Sequence, residues 1–221
     1  MRKIICLMVF SFLLVGCGSP KPVPDWIDAS FNQLDNYKKN YLSGKERIAE
    51  VYFDKAVNEI KSSGDLEILA RAYLTKYAVQ VAVLEVFDDR EYLRIDAVEP
   101  VLQNKNFYSF LKGTFDNIDE KQLPQQYAGF FRSFESGKKD EVAHEISIMD
   151  NPLSKLIALG LLVKKNKNDE IDLKLAIDIA SQNGWKKALL AYLFKLQSFY
   201  QMNNKPDKAA YVAERIKLIK D

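Results

Sequence analysis

The sequence predicts an all-α protein assembled from antiparallel helical hairpins. Three observations carry that expectation. Apolar residues recur at three- and four-residue intervals through most of the chain. Capping residues fall between those stretches, and the one segment that alternates like a strand has no evident partner strand. The 221 residues are 48% hydrophobic and 28% charged, a globular composition long enough for one sizeable core.

From Asp25, a candidate N-cap, Ile27, Phe31, Leu34 and Tyr41 follow helical spacing. Ser43 and Glu46 read as a capping box before a helix over about Lys45 to Lys61, which Gly64 would close. Asp65 to Phe87 holds neither glycine nor proline and is apolar on more than half its circumference, so it predicts a central helix packed on two sides. Arg90 to Pro100 fits a strand (Leu93, Ile95, Ala97) or a short helix (Tyr92, Ile95, Val98), and helix is favoured. Short helices are expected over Phe107 to Lys112, Pro124 to Ser136 and Lys138 to Met149. Asn151 and Pro152 form a cap and first-turn pair for a helix to about Lys164. Three helices then follow, over Leu173 to Gln182, Trp185 to Phe199 and from Pro206, joined by turns at Asn183–Gly184 and Asn203–Lys205. Such short connections predict antiparallel neighbours.

The last hairpin resembles a tetratricopeptide-like repeat. Ala209 stands at the family's second-helix alanine, and Leu193, Leu196 and Tyr200 fall on its packing positions, while Gln197, Ala213 and Ile216 depart from the pattern. Ala49, Phe53 and Ala56 repeat the alanine, aromatic, alanine spacing upstream. No regular period links the two matches. The resemblance implies a tetratricopeptide-like solenoid; an irregular helical bundle is the alternative.

Ahead of the helices, Arg2 and Lys3 precede an apolar run from Ile4 to Val15, the layout of a signal peptide over residues 1–16. As a helix it would reach only ~18 Å against a hydrocarbon core of ~30 Å, too short to span comfortably. The run ends Leu14, Val15, Gly16, Cys17, which resembles the lipobox of bacterial lipoproteins. That resemblance implies cleavage after Gly16, diacylglycerol on the Cys17 thiol and acylation of the new amine. Several acyl chains anchor a protein firmly without a span. Gly18, and not Asp, follows the cysteine, which the enterobacterial sorting rule associates with the inner face of the outer membrane. Three prolines at positions 20, 22 and 24 make residues 17–24 a lipidated spacer ahead of a single helical domain at 25–221.

Composition excludes several chemistries for the processed chain. Removing Arg2 and Lys3 with the leader leaves thirty basic and thirty acidic residues, so no basic field remains to attract nucleic acid. Cys6 leaves with the leader and Cys17 is consumed by lipid; no thiol is left for a disulfide, a nucleophile or a metal site. His144 stands alone beside Glu141 and Glu145, and no metal or cofactor is expected. No phosphate loop or nucleophile elbow appears. Glu85 and Glu99, near helix ends, are the acids to inspect for hydrolase chemistry. The aromatic concentration from Phe107 to Phe134 reads either as packed core or as an apolar groove formed by Phe107, Phe110, Phe130, Phe131 and Phe134.

These readings favour a non-enzymatic, lipid-anchored, periplasm-facing scaffold that binds an envelope protein or peptide between helices. A cell-wall glycan or peptide hydrolase and a carrier of an apolar ligand are the alternatives. Two acids converging in a cleft would favour the hydrolase, a closed aromatic cavity the carrier, and an open concave face the scaffold.

Overall fold

Residues 24–220 are described by a computed structural model. Among them are eleven α-helices, one turn of 3₁₀ helix at Glu120–Gln122 and no strand. The all-α class is therefore the observed one.

The first two helices, α1 (Asp25–Leu42) and α2 (Glu46–Ser63), form an antiparallel hairpin. Leu34, Tyr37 and Tyr41 of α1 face Ala49, Phe53, Ala56 and Ile60 of α2, all buried. The two alanines let the backbones approach while the rings interlock: the Tyr37 and Phe53 centroids lie 5.3 Å apart. The expected capping box does not form. The Ser43 hydroxyl instead donates to the Lys39 carbonyl at 2.8 Å, closing α1, and α2 begins without a side-chain cap. Asp25 is likewise the first residue of α1 rather than its cap, where its charge complements the helix dipole.

The central helix is α3 (Leu66–Ala82), capped by Asp65, whose carboxylate accepts from the Ile68 N–H at 2.8 Å. It packs on α1 and α2 and on three later helices: α4 (Arg90–Val98), α5 (Leu102–Lys112) and α8 (Pro152–Lys164). The predicted continuation to Phe87 is cut short because Leu84 adopts a left-handed backbone, φ +62°. Phe87 then folds back and stacks on Tyr77 at 4.6 Å. The α4 segment is helical, as favoured.

Next, α6 (Gln125–Glu135) and α7 (Lys139–Ile148) pair and lie against α8. The Asn151 side chain caps α8 as expected, accepting from the Leu153 and Ser154 N–H groups. α8 buries eight of its thirteen residues and crosses α3 at Gly160. A β-carbon there would stand 2.3 Å from the Val81 carbonyl oxygen, so only glycine permits the crossing as built.

The chain ends in α9 (Glu170–Gln182), α10 (Lys186–Met202) and α11 (Pro206–Lys220), with α9 and α11 both packed on α10. The positions named in the repeat-like hairpin, Leu193, Leu196, Tyr200 and Ala209, are buried. Contacts are not confined to chain neighbours, however. α3 meets α8 and α1 meets α10, which a one-dimensional stack of repeats would lack. The array is folded back on itself around one continuous core.

Candidate functional site

An open concave feature with an apolar floor lies on the three C-terminal helices. α10 forms its base, with Leu196 and Tyr200; α9 and α11 form its walls, with Ile177 on one side and Val212 on the other. The groove encloses about 520 Å³. Since α9 and α11 each run antiparallel to α10, they run parallel to one another and bring their N-terminal ends together. That is where charge gathers.

Glu170, the first residue of α9, is the focus. Lys174 donates to its carboxylate at 2.8 Å, Tyr200 at 2.9 Å and Lys205 at 3.1 Å, with Lys208 at 3.5 Å. These hydrogen bonds, Lys174's first, hold the Glu170 carboxyl well below the ordinary carboxylate range. Glu170 is placed there by a true capping box in which Asp169 and Asp172 each accept from the other's backbone N–H.

Further along the groove, Tyr211 and Arg215 sit one turn apart on α11. Tyr211 is 72% exposed, the most exposed aromatic among the described residues. Arg215 is half-buried and forms no ion pair among the described residues. Asp178 and Asp207 complete the polar rim. Exposed tyrosine and arginine at the edge of an apolar hollow are the residue types that dominate binding energy at protein interfaces.

A second polar cluster ties the ends of the array. Lys187, at the start of α10, places its ammonium 2.8 Å from Glu46 of α2 and 2.8 Å from Glu85 after α3, and 3.9 Å from the centre of the Tyr41 ring. Tyr41 also donates its hydroxyl to Glu85 at 2.5 Å. Burial pulls the lysine's pKa down, but its bonds to Glu46, Glu85 and Tyr41 together outweigh that and hold it above the ordinary value. Burial and the Glu85 hydrogen bond push the tyrosine up to about 12. Glu85 thus has a structural occupation, and Glu99 is exposed at the end of α4. The two acids singled out for hydrolase chemistry stand at different places in the fold.

The five phenylalanines do come together, but as core. Phe110 and Phe130 have no exposed surface and Phe131 is buried. Phe110 lies 6.2 Å from Phe107 and 6.0 Å from Phe130, while Phe115 bridges Phe131 at 5.6 Å and Phe134 at 5.1 Å. Large rings on short helices fill space most efficiently by packing edge and face on one another, so the groove reading gives way to the core one. Phe107 and Phe134, the two half-buried rings, border cavities; that beside Phe134, about 270 Å³, is shared with Val142, Leu162, Lys139 and Asp172.

His144 is exposed, and among the described residues no cluster of histidine, cysteine and acid groups has metal-site geometry. No described helix is long and apolar enough to cross a membrane. Leu14, Val15, Gly16 and Cys17 lie outside the described residues. The C-terminal groove was not legible as a site, although Leu196 and Tyr200 were named for their packing. Tyr211, Arg215 and the lysines read singly as solvated helix faces, and only the folding of α9 and α11 about α10 brings them together. Comparison with protein families, with curated proteins and with solved structures found no match to the chain.

Proposed function

We propose that the protein is a non-enzymatic binding module of the bacterial cell envelope, held by lipid on Cys17 and facing the periplasm, with the C-terminal groove as its docking site for an envelope protein or peptide. The observation that carries the reading is the open hollow between α9 and α11, apolar at its base and rimmed by Tyr211 and Arg215. The anchor rests on the lipobox-like Leu14 to Cys17, and the outer membrane is its proposed seat because Gly18 follows the cysteine. The tetratricopeptide-like spacing of the hairpin helices fits the same role, since paired helices of that kind present grooves to polypeptides.

A photocrosslinking amino acid at Tyr211, expressed in cells, tests the docking site against the same probe at Glu214, which is exposed on α11 but does not border the groove. Discrete adducts at position 211 alone are expected; identical adducts at both positions, or none at either, would overturn the reading. Cys17→Ala tests the anchor separately: it should abolish lipid labelling and leave uncleaved precursor, and normal acylation of that variant would refute the assignment.

A further inference from the structure

The groove's charge says more about its occupant than its shape does. From residue 170 to the end, the chain carries nine basic against six acidic residues. A charge-balanced processed chain therefore concentrates its positive excess on the three helices that form the groove.

At the groove itself Lys174, Lys205, Lys208 and Arg215 stand against Glu170, Asp178 and Asp207, an excess of one, and the cations fall at two points. Lys174, Lys205 and Lys208 surround the single carboxylate of Glu170 at one end. Arg215, without an ion-pair partner among the described residues, lies at the other. Lys208 and Arg215 are seven residues apart on one helix, ~10 Å along its axis. Between them the apolar lining is Leu196 at the base with Ile177 and Val212 on the walls. Asp178 and Asp207 on the rim oppose a second anion only in part, because Arg215 offers a planar fork that can hold a carboxylate with two bonds.

Resting on the proposed docking site, we infer that its occupant is an acidic amphipathic helix, with carboxylates about seven residues apart flanking apolar side chains at the intervening third and fourth positions. The first carboxylate meets the lysines around Glu170, the second meets Arg215, and the apolar pair enters the hollow over Leu196. Such a helix lies parallel to α9 and α11, continuing the packing they make on α10.

The test uses three fluorescent synthetic peptides and the full chain reconstituted in lipid nanodiscs, read by anisotropy. One peptide carries Glu at positions 1 and 8 with Leu at 4 and 5; the others replace both Glu with Gln or with Lys. The Glu peptide should bind, weaken as salt rises, and exceed the Gln peptide by about tenfold. Arg215→Glu, which removes no ion pair among the described residues, should remove most of the preference for the Glu peptide over the Gln peptide while leaving circular dichroism unchanged, because the lysines around Glu170 still meet the first carboxylate. Equal binding of the Glu and Gln peptides to the native chain, or an undiminished Glu preference in Arg215→Glu, overturns the inference. If Tyr211 crosslinks persist in that case, the docking site survives with a different occupant; if they are absent as well, both fall.

Discussion

Alanine at Gly160 and at Gly129 is expected to change stability in opposite directions, though both glycines lie inside helices where alanine is intrinsically better by ~1 kcal/mol. At Gly160 the added methyl meets the Val81 carbonyl oxygen at 2.3 Å, whereas ordinary contact begins near 3.4 Å. The obstacle is backbone, so α3 and α8 must separate by about 1 Å, and overpacking of that kind costs ~1–3 kcal/mol. Taking the upper half of that range for a backbone obstacle and subtracting the gain in propensity leaves a net loss of ~1–2 kcal/mol. For a chain of this size the melting temperature should fall by ~3–6 °C. At Gly129 the obstacle is the carboxylate end of Glu145, at 2.0 Å. That end can rotate away, so Gly129→Ala should gain up to ~1 kcal/mol. Urea titrations and thermal melts followed by far-UV circular dichroism measure both. A shift of the same sign in the two variants would refute the claim that the α3–α8 crossing is set by backbone contact at Gly160.

Lys187→Met leaves Glu46 and Glu85 facing one another and should cost ~1–2 kcal/mol, kept modest because both acids reach solvent; an unchanged urea midpoint would show that the α1–α10 tie is ornamental. Phe110→Ala should cost ~3–5 kcal/mol if the aromatic cluster is core, whereas a groove ring would lower binding of an apolar dye with little loss of stability. Glu170 supplies a pH test. Its carboxyl is depressed, so its stabilisation is present above the ordinary carboxylate range and is lost as pH falls through the folded value; the advantage of the native protein over Glu170→Gln should shrink only below about pH 4. A gap between the two that is independent of pH in acid titrations would contradict the hydrogen-bond assignment.

Periodicity made the helices legible, and Asn151 marked the start of α8 because its side chain has one obvious donor set to satisfy; Asp65, read only as the first residue of a helical stretch, proves to be the cap of α3. Ser43 misled because a serine at a helix end can cap forward or bond back to the carbonyl four residues earlier, and here it does the latter. The box that does form, at Asp169 and Asp172, uses Asp where the usual pattern has Glu or Gln. Nothing in leucine's chemistry announces the left-handed backbone at Leu84 that ends α3 early. The aromatic cluster was visible as a concentration, but the same residue types suit a groove or a core, and burial alone decides between them. The C-terminal groove was hidden for a different reason: Glu170, Lys205 and Arg215 share a surface only because two helices flank a third.

The bond from Lys187 to Glu46 joins residues 141 positions apart. A loop of that length is closed late, after most local hairpins have formed, because its entropic cost precedes any reward from contacts. A chain emerging N-terminus first therefore holds the Tyr41 and Glu85 side chains without their final partner until α10 has been delivered. Loss of the last helices would be felt in the first hairpin, by faster amide exchange around Tyr41, making the two ends of the sequence one kinetic unit.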